Sequence, residues 1–215
     1  MTTTDENTQR RKTAARILAN VDGTLLADIR SMRHWATTAE TPKNMGRLNF
    51  ALMAISLIGC ERLGLLTSEE TRPGKRGCGS QVDPGQYIIE FIGHYFPRKH
   101  PFKRIAKILA DGVRHELVHG FGGRQSSAPF VIGLYVSADT ARFYEVRERP
   151  HRRPTLAINA VTFADAVLAG AANISRRLDR EPALVDCVLA GAGAKFTTPK
   201  GVIAEWNHGV RGGRQ

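Results

Sequence analysis

The segment from about Gly46 to Leu66 constrains the fold of this chain more than any other part of the sequence. It is apolar on nearly every side of a helical wheel, and its most apolar run extends from Ala51 to Cys60. A helix without a polar face is buried on all sides. The apolar run is shorter than the roughly 20 residues that a membrane-spanning helix needs. We therefore predict a central helix that other helices surround, and no membrane span.

Other segments have the spacing of helices that pack against such a centre. One apolar stripe covers about 84–96, with large apolar residues three or four positions apart. Further helices are predicted at about 6–33 with an interruption near Asp22-Gly23, at 102–119, at 163–178 and at 182–196. Thr162 with Asp165 resembles a capping box at the start of one of them. The prolines and glycines of residues 67–85 predict a long loop.

Between these helices the apolar period changes from 3.6 to 2. Residues 130–136, 142–147 and 156–161 alternate like half-buried strands and are rich in β-branched and aromatic residues. Ser137 to Thr140 is typical of a hairpin turn. We predict an α+β fold that is predominantly helical, a helical bundle with a small antiparallel β-sheet at about 130–161. The chain is expected to form a single domain over 1–215, with flexible ends at 1–4 and 208–215.

The charge balance indicates a class of partner. The chain has 31 Lys and Arg against 20 Asp and Glu, a net charge of +11. Such an excess favours polyanions, with nucleic acid first and an acidic membrane surface second. The alternative is a positive charge that only keeps the protein soluble.

The cysteines and the first residues indicate a compartment. Three cysteines without a Cys-x-x-Cys pair argue against a disulfide framework and against a cysteine-built zinc site. The polar start of the chain is unlike a signal peptide. A cytoplasmic protein is expected, and no cofactor is indicated.

The densest chemical signal is the hexapeptide Arg114-His115-Glu116-Leu117-Val118-His119. It contains a literal H-E-x-x-H, in which His115 and His119 would bind zinc from one helix face and Glu116 would activate water. A third ligand is not evident, because Gln125 stands where metzincins have a histidine. A zinc metallohydrolase therefore stays an alternative.

The same hexapeptide also reads Arg114-His115-x-x-x-His119. This resembles the R-(N/H/D)-x-x-x-H motif of HEPN-type proteins. These form a helical family whose name stands for higher eukaryotes and prokaryotes nucleotide-binding. The resemblance implies an RNA-directed protein, with metal-independent endoribonuclease activity as its catalytic form. It places Arg114 and His119 in catalysis with His115 in support, and it implies a homodimer. A non-catalytic binding module of the same shape is the alternative.

The residue types suit this chemistry. Attack by a 2′-hydroxyl needs a proton acceptor or donor near neutral pH, for which histidine is suited, and a fixed positive charge on the phosphate, which arginine supplies. Asp111 lies one helical turn before His115 and is placed to orient its imidazole. Five basic residues precede the motif and are predicted to grip phosphates, with RNA favoured over DNA. They are Arg98, Lys99, Lys103, Arg104 and Lys107.

The geometry of a regular helix leaves one difficulty. At about 100° per residue, His119 lies about 40° from His115, whereas Arg114 lies about 140° from His119. Convergence would require a bent helix, the long arginine side chain or a second subunit. The structural alternative has Arg114 pair with Asp111 while the two histidines hold the sheet against the bundle.

One further feature is a set of aromatic residues interleaved with arginines on the predicted sheet. Tyr135, Phe143 and Tyr144 alternate with basic residues from Arg142 to Arg153. Such a surface can stack single-stranded bases. Core packing on one face and solvated charge on the other is the alternative.

Overall fold

The structure, a computed structural model, contains a bundle of helices with a small sheet. It describes residues 3–38, 46–69, 83–114, 117, 129–137, 139, 141–148 and 150–193. The helices in this part of the chain are α1 Thr3–Val21, α2 Ala27–Thr37, α3 Gly46–Thr67, α4 Pro84–Tyr95, α5 Ala160–Leu178 and α6 Pro182–Gly193. The strands are β1 Val131–Tyr135, β2 Tyr144–Arg147 and β3 Thr155–Asn159. The prediction of a predominantly helical α+β fold is confirmed.

Helix α3 is the centre of the bundle, as its all-round apolar character predicts. It packs against α2, α4, α5 and α6 and also touches β1. Leu52, Met53, Cys60 and Leu66 are completely buried. Leu48–Thr67 is long and apolar enough to cross a membrane by length and composition, with a mean hydropathy of 1.6, but 61% of that window is buried inside the protein. The central helix of a soluble bundle passes the same test, so this helix gives no clear membrane span.

Two glycines let the backbones of neighbouring helices approach α3 closely. A Cβ atom placed on Gly64 would lie 2.1 Å from the carbonyl oxygen of Tyr87 in α4. A Cβ atom on Gly191 of α6 would lie 2.7 Å from the carbonyl oxygen of Leu65. Real Cβ atoms do not come this near to backbone atoms. Only glycine therefore fits at these two helix contacts.

The first predicted helix is present and carries an irregular turn where the sequence predicts an interruption. Residues Asp22–Leu26 form a π-helical turn between α1 and α2. The Thr24 hydroxyl donates to the Asn20 carbonyl at 2.8 Å, inside this part of the helix. A π turn inserts a residue without breaking the helix. The chain therefore continues through Asp22-Gly23 rather than turning there.

The helix predicted over 102–119 is irregular. Residues Pro101–Ile105 form a 3₁₀ helix, and Ile108–Val113 form a π-helical segment that leads into Arg114. Apolar spacing reports which side chains face the core, but it does not report whether the backbone hydrogen bonds span three, four or five positions. The angles expected for a regular α-helix therefore do not apply between Asp111 and Arg114. The predicted end of this helix at His119 lies outside the described residues.

The three strands are present near their predicted positions, but the sheet is mixed rather than antiparallel. The strand order is β1-β3-β2, with β1 parallel to β3 and β2 antiparallel to it. The hairpin predicted at 137–140 would pair β1 with β2, which is wrong; Ser137 and Arg142 instead both hydrogen-bond to Asn159 at the carboxyl end of β3. A period of 2 identifies strands but not their neighbours, which explains the error.

Asn159 holds the connection between β1 and β2 in place. Its side-chain amide donates to the carbonyls of Ser137 at 3.1 Å and Arg142 at 2.9 Å, and its oxygen accepts from the amide of Ser137 at 3.3 Å. The same oxygen accepts from the amide of Val161 at 3.1 Å and caps α5. The predicted cap, Thr162, instead lies inside the helix and donates to backbone carbonyls.

The remaining expectations about loops and ends fall largely outside the described residues. This is true of residues 1–2, of 70–82 within the predicted loop, and of 194–215. The helices predicted at 84–96 and 182–196 are confirmed as α4 and α6, and the one predicted at 163–178 begins earlier, at Ala160.

Candidate nucleic-acid interface

The basic segment predicted to grip phosphates lies between α4 and the π-helical segment. Arg98 and Lys99 are exposed in the turn after α4, and Arg104 and Lys107 are exposed on the helical stretch that follows. Lys103 differs, because its Nζ donates to the carbonyl oxygen of Gly93 at 2.7 Å and so caps the carboxyl end of α4. Four of the five predicted cations thus remain directed to solvent.

These four cations have no acidic partner within the described part of the chain. Several arginines elsewhere on the surface do have acidic partners, with N–O distances of 2.7–3.0 Å. The pairs are Arg10 with Asp186, Arg33 with Asp165, Arg114 with Glu61 and Arg177 with Glu181. The positive charge of the basic segment is therefore not cancelled locally, which is the arrangement that attracts a polyanion.

Arg114 is held by an acid that the sequence did not indicate. Its Nε donates to Oε2 of Glu61 in α3 at 3.0 Å, and both side chains are about one-third exposed. Asp111, the partner considered from sequence, is exposed and lies instead beside the first turn of α4, where its Oδ1 would be 3.4 Å from a Cβ on Gly85. A phosphate at Arg114 would therefore have to share the guanidinium with Glu61.

The rest of the hexapeptide lies outside the described residues, apart from Leu117. This applies to His115, Glu116 and His119, and therefore to both the zinc interpretation and the catalytic one. Among the residues that are described, no group of three or more His, Cys, Asp or Glu could hold a metal ion.

The aromatic residues of the sheet have three different surroundings. The ring of Tyr144 packs against buried Phe102, with centroids 6.3 Å apart. The guanidinium of Arg147 lies over the ring of Tyr135, with its Cζ 5.4 Å from the ring centroid. Phe143 also packs against Phe102, with ring centroids 5.8 Å apart, and in addition it lines an open notch of about 210 Å³ together with Pro97 and His100. The interpretation as a base-stacking surface therefore has geometric support at Phe143 and not at Tyr144.

His100 is a site residue that sequence reasoning missed. Its ring lies against three phenylalanine rings, with centroid distances of 5.3 Å to Phe96, 5.3 Å to Phe102 and 5.0 Å to Phe143. Burial, with a smaller contribution from the charge of Lys103, lowers the pKa of His100 from its usual value. Both effects favour the neutral form of the imidazole. In the sequence, its position between Pro97 and Pro101 could have indicated a site residue.

A larger cleft of about 530 Å³ lies where the ends of α3 and α4 meet α5 and α6, and its charge is of the opposite sign. Three glutamates and one arginine line it, namely Glu69, Glu90, Glu181 and Arg177. Arg177 forms a two-pronged ion pair with Glu181 that lowers the pKa of this carboxyl, and its guanidinium stacks 4.9 Å above the ring centroid of Tyr95. Excess negative charge disfavours a polyanion here. The basic segment is thus the better candidate for a nucleic-acid interface.

Comparisons with protein-family models, with curated proteins and with solved structures find no match for this chain. The resemblance to HEPN-type proteins therefore rests on the sequence motif Arg114-His115-x-x-x-His119 and on the helix predicted around it. The homodimer and the cytoplasmic location stay predictions.

Proposed function

We propose that this protein binds nucleic acid, RNA before DNA, through the basic segment from Arg98 to Lys107. The observation that carries the proposal is that four exposed cations in this segment have no acidic partner among the described residues. Each phosphate that such a cation contacts releases condensed counterions, which supplies affinity without base recognition. RNA is the first ligand to test, because the HEPN-type resemblance implies RNA.

Binding is expected to depend steeply on salt. The test replaces Arg98, Lys99, Arg104 and Lys107 with glutamine and measures fluorescence anisotropy of a labelled RNA between about 50 and 200 mM salt. Each phosphate contact contributes about 0.7 to the magnitude of the slope of log K against log salt for single strands. The variant lacks four such contacts, so the magnitude of its slope is expected to be smaller by about 3.

A matched variant separates local charge from total charge. Arg11, Lys12, Arg16 and Arg176 are also exposed, and their replacement by glutamine removes the same charge from α1 and α5. This control is expected to bind RNA nearly as the wild type does. Equal losses in the two variants, or wild-type binding that ignores salt, would contradict the proposal.

Cleavage is the catalytic extension of this proposal, and it rests on the motif. Arg114 would stabilise the phosphate, and His119 would be the acid or base, without a metal ion. Labelled RNA incubated with the protein in EDTA is expected to be cut by the wild type and by His94→Ala, which changes an exposed histidine of α4, but not by His119→Ala. If the RNA stays intact with all three proteins, the catalytic proposal is wrong and the non-catalytic binding module remains. Hydrolysis that EDTA abolishes would favour the zinc alternative.

A further inference from the structure

An open, largely apolar notch lies directly beside the basic segment. Pro97 forms one wall and immediately precedes Arg98 and Lys99 in the chain. His100 and Phe143 form a second wall, with their rings perpendicular and 5.0 Å apart. Ala166 and Ala169 of α5 complete the lining, together with Thr162 and Asp165. The notch therefore combines aromatic edges and faces with small side chains, next to unpaired cations.

The charge inside the notch does not favour phosphate as its occupant. Asp165 lies in the lining, and its two oxygens accept from the guanidinium of Arg33 at 2.8 and 3.1 Å. This pair leaves no net positive charge in the notch. Burial and the charge of Lys103 lower the pKa of His100, which disfavours a positive charge on its imidazole. A flat, uncharged aromatic group fits this lining better than an anion.

We propose that the notch receives one unpaired base of a single-stranded nucleic acid whose phosphates contact Arg98, Lys99, Arg104 and Lys107. This inference rests on the proposed function and adds the substrate class to it. Proteins that bind single strands combine a positive groove for the backbone with aromatic rings on which bases stack. In a duplex the bases are paired and stacked, so a duplex reaches the cations but leaves the notch empty.

A plugged notch tests the proposal without removing any existing contact. Ala169 is exposed on α5 and lines the notch, and a leucine side chain on a helix extends toward the preceding turn, where Asp165 and Ala166 lie. Ala169→Leu is thus expected to fill the space. Ala15→Leu is the matched control, because Ala15 is exposed on α1 and does not line the notch.

The measurement compares single-stranded and duplex RNA of the same sequence, with single-stranded DNA as a parallel arm. Stacking of one base contributes enough affinity that Ala169→Leu is expected to weaken single-strand binding by about 5-fold or more. For Ala169→Leu, the duplex affinity and the salt slope are expected to stay at wild-type values, and Ala15→Leu is expected to keep the wild-type affinity for single strands and duplex alike. A 2-aminopurine base in the strand should lose fluorescence on binding to the wild type and keep it with Ala169→Leu.

The outcomes separate this inference from the function on which it rests. If binding is salt-sensitive but Ala169→Leu retains the wild-type affinity for single strands, the proposed base site in the notch is wrong. Binding through the basic segment would still stand. Absence of salt-sensitive binding to every probe would instead overturn the proposed function. Equal effects on RNA and DNA would show that the notch recognises the base and not the 2′-hydroxyl.

Discussion

Gly64→Ala is expected to destabilise the protein by about 3 kcal/mol or more, because the new methyl group has no space. Its Cβ would lie 2.1 Å from the carbonyl oxygen of Tyr87, 2.7 Å from its carbonyl carbon and 3.0 Å from its Cβ. The clashing atoms belong mainly to the backbone of α4, which cannot move aside as the end of a flexible side chain can. The two helices would have to separate along their shared apolar surface, and α3 would lose burial that the core requires.

Gly93→Ala is the matched control, and it should act in the opposite direction. Gly93 is also a helical glycine, but a Cβ placed there meets nothing within 4 Å. Alanine lowers the entropy of the unfolded chain and favours the helix, so a gain of about 0.5–1 kcal/mol is expected. Urea denaturation followed by circular dichroism measures both variants. A Gly64→Ala protein as stable as the wild type would contradict the close helix contact.

Asn159→Ala is expected to cost about 3 kcal/mol, the second large effect. The side chain is completely buried and makes four hydrogen bonds, to Ser137 twice, to Arg142 and to Val161. Each bond contributes about 1 kcal/mol, and its loss leaves backbone groups in the interior without partners. For a chain of this size the melting temperature should fall by roughly 6–12 °C.

Asn159→Asp distinguishes the two roles of this residue. Aspartate caps a helix as well as asparagine does and can still accept from Ser137 and Val161. It cannot donate to the carbonyls of Ser137 and Arg142, and its charge would face both oxygens. If holding the connection between β1 and β2 matters, Asn159→Asp should be at least as unstable as Asn159→Ala. Wild-type stability of Asn159→Asp would mean that capping is the whole contribution.

Local pattern predicted those parts of the fold in which burial alone decides the structure. Helix α3 is apolar all round and is the centre, and α4 has a stripe in which Ile88, Phe91 and Ile92 are all completely buried. The order of the strands depends instead on contacts between distant residues. Nothing marks Asn159 in the sequence as the residue that holds the connection between β1 and β2, since any polar residue before a helix can look like a cap. The sheet order was therefore beyond the reach of periodicity.

Part of the candidate site was likewise predictable from the sequence, and part was not. Exposure of Arg98, Lys99 and Arg104 follows from their charge and was predictable. The partner of Arg114 is 53 residues away in α3, and helical spacing suggested Asp111 only because it is near in sequence. The notch was not predictable for the same reason. His100 and Phe143 are far apart in sequence and meet only when the sheet packs against the bundle.

The junction at Asn159 has a consequence for how rigidly the notch is built. Strand β3 ends at Asn159 and α5 begins at Ala160, with no linker between them. One wall of the notch, Phe143, precedes the strand paired with β3, and the opposite wall belongs to α5. A hinge motion between sheet and helix would have to break the hydrogen bonds of Asn159 first. The notch is thus preorganised, and a base bound there as proposed would cost little conformational entropy in ordering its surroundings.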